Sequence, residues 1–151
     1  MHMKIETPVS LEDGIAVHHK SQLELCKRLE RLADRLPDQF DKQECLSLSW
    51  QLYPTVKAAH RFEEEHLFPL LLGEEKTQEG LERSLERLKF EHWEDESSAE
   101  DISIFLRQLV QDPGGVNIGK ISYMLRGFFE GLRRHIAFET EHLMPMLGKH
   151  Q

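Results

Sequence analysis

Helix breakers are few and clustered along this chain, and that distribution restricts its fold more than any other feature. Of six prolines and nine glycines in 151 residues, most fall in a few places. Between them apolar residues recur at three- and four-residue spacings, the period of a helix with one buried face. The first such segment, about Leu11 to Leu36, carries Leu11, Ile15, Leu23, Cys26, Leu29, Leu32, Ala33 and Leu36 and stops before Pro37. Asp38 or Asp41 can cap the second, which passes Leu46, Tyr53, Val56, Leu67 and Leu71 and ends at Gly73. Pro54 lies inside that pattern and predicts a kink or a delayed start. A third segment, about Thr77 to Gln111, carries Leu81, Leu85, Leu88, Ala99, Ile102, Leu106 and Leu109, then meets Asp112-Pro113-Gly114-Gly115. The fourth, about Asn117 to Leu147, carries Ile121, Leu125, Phe128, Leu132, Leu143 and Met146. Four helices joined by short connections pack as antiparallel neighbours, so the expected fold is all-α, an up-down-up-down four-helix bundle, with the whole chain as one domain.

Composition excludes several classes of function. No apolar run approaches the roughly 20 residues needed to span a bilayer, and Met1 to Ser10 has no apolar core of signal-peptide length. The default expectation is a cytoplasmic protein. With 19 basic and 27 acidic residues the net charge is −8, which disfavours attraction to nucleic acid. Cys26 and Cys45 stand apart, each within an apolar helical pattern, and read as core residues. No P-loop, dinucleotide fingerprint, nucleophile elbow or His-Glu-x-x-His is present.

The nine histidines are what composition leaves to explain. Helix two contains His60-Arg-Phe-Glu-Glu-Glu-His-Leu-Phe-Pro, and helix four His135-Ile-Ala-Phe-Glu-Thr-Glu-His-Leu-Met-Pro. Aligned on the first His, both read His-x-x-x-Glu, with Glu64 opposite Glu139, and both continue to His-Leu-x-Pro with one extra residue in helix four. Residues four apart share a helix face, so each pair offers a nitrogen and an oxygen to one point, half a metal site. His60 and Glu64 fall on the apolar stripe of helix two, and Glu139, with His135 at the edge, on that of helix four. A buried unpaired carboxylate costs several kcal/mol, which calls for a compensating cation.

Helix three adds His92, followed at helical spacing by Ala99, Ile102, Leu106 and Leu109. The same offsets from His19 reach Cys26, Leu29, Ala33 and Leu36, whereas from His18 they reach Leu25, Arg28, Leu32 and Arg35. His19 is therefore favoured as the helix-one ligand, with His18 the alternative. His66 and His142 sit off their stripes and read as flanking residues, and His2 and His150 as tail residues.

The set His19, His60-x-x-x-Glu64, His92, His135-x-x-x-Glu139 on four successive helices resembles the hemerythrin-like (HHE cation-binding) family over nearly the whole chain. The resemblance implies a bundle holding two non-haem iron ions, Glu64 and Glu139 bridging and the histidines terminal. Zinc and manganese suit similar donors. It further implies a metal-binding protein, with redox chemistry at the iron pair, that binds or reacts with a small molecule such as dioxygen or nitric oxide, or handles iron. Oxygen-carrying hemerythrins have a second His four residues after the helix-three His, where this chain has Glu96. Four His and two Glu are instead similar to the iron-sulfur-cluster repair di-iron proteins, without their extra N-terminal domain. Two other readings compete. Glu63-x-x-His66 and Glu139-x-x-His142 fit a ferritin-like di-iron site, and a purely structural or interaction bundle needs no metal.

Overall fold

The computed structural model describes residues 10–73 and 79–147. Thr77, the expected start of the third helix, and the tail residues His2 and His150 lie outside them. Helix α1 is Leu11–Arg35, capped by Ser10, whose hydroxyl accepts from Asp13 N–H at 3.1 Å. Helix α2 begins at Lys42, and of its two candidate caps Asp41 is the one used, accepting from the amides of Gln43 and Glu44. It runs unbroken to Phe62 with Pro54 inside it, so the expected delayed start at Pro54 does not occur. Two further turns continue α2, a π-helical one over Glu63–Leu67 and an α-helical one over Phe68–Leu72. Helix α3 spans Glu79–Gln111. Helix α4, Ile118–Phe138, is capped by Asn117 and continues likewise through a π-helical turn, Glu139–Leu143, into Met144–Leu147. The described residues are all-α, and none of their helices is long and apolar enough to cross a membrane.

Side-chain contacts fix the direction of each neighbour. Arg28 reaches Glu44 while His18 reaches Phe62, so α1 and α2 run oppositely. Cys45 meets Leu106 and His60 meets Glu96, which sets α2 against α3. Lys120 lies over Phe105 and His135 meets Asp95, and Asp34 pairs with Arg126 while His19 faces Glu139. In every pair the residue numbers run in opposite senses, and the four helices close into an antiparallel bundle.

The apolar interior is not continuous. One cluster, including Leu29, Leu48, Leu52, Leu106, Leu125 and Phe129, fills the half of the bundle nearer the α1–α2 turn. A second, built on Ile15, Leu67, Phe68, Leu71, Leu85 and Leu143, fills the other half. Each such side chain contributes about 1.5–3 kcal/mol by leaving water. Cys26 and Cys45 belong to the first cluster, where burial pushes both thiols up to about 11 and their Sγ–H groups donate to the carbonyls of Phe129 and Leu106. Two residues expected in the apolar stripes, Leu23 and Leu46, are instead 39% and 40% exposed. On α2 the inward face is carried by Cys45, Leu48, Leu52, Val56 and Ala59, rotated from the stripe that Leu46 and Tyr53 suggest.

Candidate metal centre

Between the two apolar clusters lies a layer of buried polar side chains: His19, Gln22, His60, Glu63, His92 and Glu139. All four helices contribute to it. His19 and Gln22 are one turn apart on α1, His60 and Glu63 one turn apart on α2, His92 is central on α3, and Glu139 closes α4. The rings of His60 and His92 stack with centroids 3.8 Å apart and planes 4° from parallel, and the Phe68 ring lies 5.7 Å from His92, 18° from parallel. Packing thus restricts how these imidazoles turn.

The two π-helical turns begin at the two buried carboxylates, Glu63 and Glu139. In each the hydrogen bond closes over five residues, from Phe68 N–H to the Glu63 carbonyl and from Met144 N–H to that of Glu139. The wider turn shifts every later side chain around the axis relative to an α-helix. This decides which glutamate of α2 enters the layer. Leu67 ends the π turn and Leu71 lies beyond it, so projecting their direction back with α-helical spacing aims the stripe at Glu64, whereas the inward carboxylate is Glu63, 1% exposed. Glu64 has a half-buried side chain, 34% exposed, whose Oε2 sits 2.9 Å from His92 Nδ1. A signal for Glu63 exists in the sequence: aligned without a gap, Phe62-Glu63-x-Glu65-His66-Leu67-x-Pro69 matches Phe138-Glu139-x-Glu141-His142-Leu143-x-Pro145. That register places His60 opposite Ile136 and makes the first pair His-x-x-Glu, the second His-x-x-x-Glu.

The other expected ligands fall as follows. His19 is buried, while His18 is half-buried against the Phe62 ring at 4.9 Å. His60 and His92 are buried, and His135 stands at the edge of the layer with its side chain 27% exposed. His66 and His142 are exposed. Glu96 is partly buried beside His60 Nδ1 at 3.0 Å. Sequence reasoning did not single out Asp95, Glu91 or Gln22; the first two belong to the acidic stretch around His92, which reads as a solvated face.

Three histidines share one arrangement. The Nδ1–H groups of His60, His92 and His135 donate to Glu96, Glu64 and Asp95 at 3.0, 2.9 and 2.7 Å. An ionised carboxylate can only accept, so each of these rings carries a proton on Nδ1 and turns Nε2 away from that partner. Carboxylates placed behind imidazoles in this way fix tautomer and orientation at metal sites. The hydrogen bond that His135 donates to Asp95 raises His135 above its ordinary value. Burial, reinforced by His92 and His135, pushes His60 down to about 2, so it stays neutral and able to coordinate.

Charge at the centre of the layer is unbalanced. Burial, the hydrogen bond with Glu139 and the Glu139 and Glu64 charges hold the Glu63 carboxyl well above the usual range. Burial acts on Glu139 in the same direction, yet the neighbouring Glu63 carboxyl and the His19 imidazole bring it below its ordinary value. One proton on Glu63, shared with the Glu139 carboxylate, is the arrangement these directions describe. Even so, Glu63 Oε2, Glu139 Oε2, His19 Nε2 and Gln22 Oε1 are buried without a hydrogen-bond partner. His19, Glu63 and Glu139 offer ligand atoms all within 4.8 Å of one another. Orphaned buried atoms cost about 1–3 kcal/mol each, and three of these four satisfy one requirement: they are N and O donors converging where a cation would sit. The residues present therefore fit a metal.

The model for the hemerythrin HHE cation binding domain matches this chain over residues 11–147. No curated protein and no solved structure was found to match it.

Proposed function

The chain belongs to the hemerythrin HHE cation-binding domain family, and we propose that it holds two non-haem iron ions between His19, His60, Glu63, His92, His135 and Glu139 and brings them into contact with a small molecule such as dioxygen or nitric oxide. The observation that carries this reading is the set of orphaned donor atoms on Glu63, Glu139 and His19 beside three imidazoles, of His60, His92 and His135, that are hydrogen-bonded from behind. Glu63 would hold the metals in the place that the resemblance gives to Glu64, while Glu64 accepts from His92. Four histidines and two carboxylates, each carboxylate with two oxygens to offer, supply enough donors for a pair of cations, the number the family resemblance implies. Four imidazoles with carboxylates suit iron, and suit zinc or manganese less distinctively.

An iron pair supplies electrons to a bound small molecule and leaves coordination positions that six protein residues do not fill. The chain's own contribution is to keep three imidazoles in one tautomer, exclude bulk water by the two apolar clusters, and surround the pair with anions. Glu64, Asp95 and Glu96 stand behind the ligands, adding negative charge that stabilises the higher oxidation state. Reversible oxygen carriage is disfavoured by this surplus, since Glu96 stands where the oxygen carriers have a further His. The test is to mix the reduced, iron-loaded protein with air or nitric oxide in a stopped-flow spectrometer. The expected result is one-way oxidation by air and a stable nitrosyl spectrum; a reversible oxygenated spectrum would overturn the reading of the reactivity.

The ferritin-like alternative loses its support in the geometry. It needs His66 and His142 as ligands, and both are exposed, the His142 side chain by 60%.

A further inference from the structure

Distances between imidazole nitrogens and carboxylates in the polar layer fall into two groups. Contacts at Nδ1 measure 2.7, 2.9 and 3.0 Å and are hydrogen bonds. Contacts at Nε2 are longer: His135 to Glu91 at 3.4 Å, His19 to Glu139 at 3.5 Å and His92 to Glu63 at 4.0 Å. Two N or O donors bound to one ion, each about 2.0–2.2 Å from it, stand about 3–3.5 Å apart. The longer group therefore has the spacing of donors that share a metal, or lie just outside it. Two of its carboxylates, Glu139 and Glu63, already belong to the proposed centre. The third, Glu91, does not, although it meets its histidine through the same nitrogen and at the shortest distance of the three.

Glu91 differs from the other two in access. Its side chain is 25% exposed and that of His135 is 27% exposed, against 1% for Glu63 and 4% for Glu139. Both line a cleft of about 390 Å³ between α3 and α4, with Ser84, Arg87, Leu88 and Phe138. Arg87 Nε stands 3.5 Å from the other carboxylate oxygen of Glu91, one helical turn away. A carboxylate that leaves the metal has a cation to receive it, and the place it vacates faces a cleft large enough for a small molecule.

The geometry points to Glu91 as an exchangeable seventh protein ligand, bound to the metal on the His135 side and displaced there by a small anion that enters through the cleft between α3 and α4. This rests on the metal-pair reading above, and it sets Glu91, at His135 Nε2, apart from Glu96, which is engaged with His60 Nδ1. Glu91 lowers the affinity of any incoming anion by the fraction of time it occupies the position. It is dispensable for holding the metal, because the six buried or ring-held donors remain.

The test uses azide as the probe on iron-loaded, oxidised protein, with the azide-to-iron charge-transfer absorption as readout and iron per chain measured on the same samples. Glu91→Ala and Glu91→Gln should keep the iron content of the unmodified protein and bind azide about tenfold more tightly, as expected if Glu91 occupies its position about nine-tenths of the time. The exposed Glu94→Ala controls for the loss of a nearby surface charge and should leave azide affinity unchanged. Azide affinity within about twofold of the unmodified protein in both Glu91 variants would overturn the proposal, as would loss of iron from them. An unmodified protein that takes up no iron pair would instead refute the reading on which it rests.

Discussion

Replacing Glu63 by Gln should make the metal-free protein more stable at neutral pH while abolishing its metal site. Glu63 is 1% exposed, its Oε2 has no partner, and burial with the nearby Glu139 and Glu64 holds its carboxyl well above the ordinary 4.5. The folded state keeps a proton that the unfolded chain releases once the pH passes about 4.5. A carboxyl raised on folding takes nothing from stability below that pH, and its cost grows as the pH climbs toward the folded value. The growth is about 1.4 kcal/mol per pH unit, so the ceiling at pH 7 is about 3 kcal/mol. Gln is neutral throughout, has nearly the same shape, and its amide N–H can donate to Glu139 as the protonated carboxyl does. Urea denaturation of chelator-treated protein at several pH values is the assay. Glu63→Gln should match the parent near pH 4.5 and gain up to about 3 kcal/mol at pH 7, a midpoint shift of about 1–3 M at ordinary urea slopes. A variant less stable than the parent at pH 7, or a difference that does not change between pH 4.5 and 7, would refute the charge assignment in the layer.

Glu63→Ala should abolish binding of a metal pair, whereas Glu64→Ala should weaken it by about 10–100-fold through loss of the hydrogen bond that orients His92; equilibrium iron binding separates the two, and equal effects would contradict their placement. His19→Ala should lose metal while His18→Ala retains it, as metal analysis of the purified variants would show, because successive helical residues point about 100° apart. Phe129→Ala in the larger apolar cluster should cost about 3–5 kcal/mol of stability by thermal or urea unfolding, since its ring is fully buried. Gly14→Ala should cost about 1–3 kcal/mol, because a Cβ there would lie 2.4 Å from the Phe62 ring, which His18 and His66 flank.

The fold was legible because it rests on periodicity and punctuation. Breakers at Pro37, Gly73 and Asp112-Pro113-Gly114-Gly115 separate segments whose inward residues, from Leu29 to Leu125, are the buried ones. His19, His92 and Glu139 were legible for the same reason, as polar residues at helical spacing within apolar stripes. Glu63 was not, because a constant rotation per residue fails across the π turn that starts at Glu63 itself. Nothing in local propensity announces that turn, and only the gapless match between the Phe62–Pro69 and Phe138–Pro145 stretches records it. Asp95 and Glu91 were missed for a different reason. Both belong to an acidic run on α3 that reads as a face turned to water, and only the approach of α4, bringing His135 beside them, gives them partners.

The central claim is that Glu63 and Glu139 bridge two metals in the polar layer. Iron analysis combined with electron paramagnetic resonance of the oxidised, iron-reconstituted protein tests it most directly. About two iron ions per chain and no resonance from isolated ferric ions are expected, because two ferric ions joined by carboxylate bridges would couple their spins. About one iron per chain with the signal of a lone high-spin ferric ion, or no iron retained after reconstitution, would contradict it.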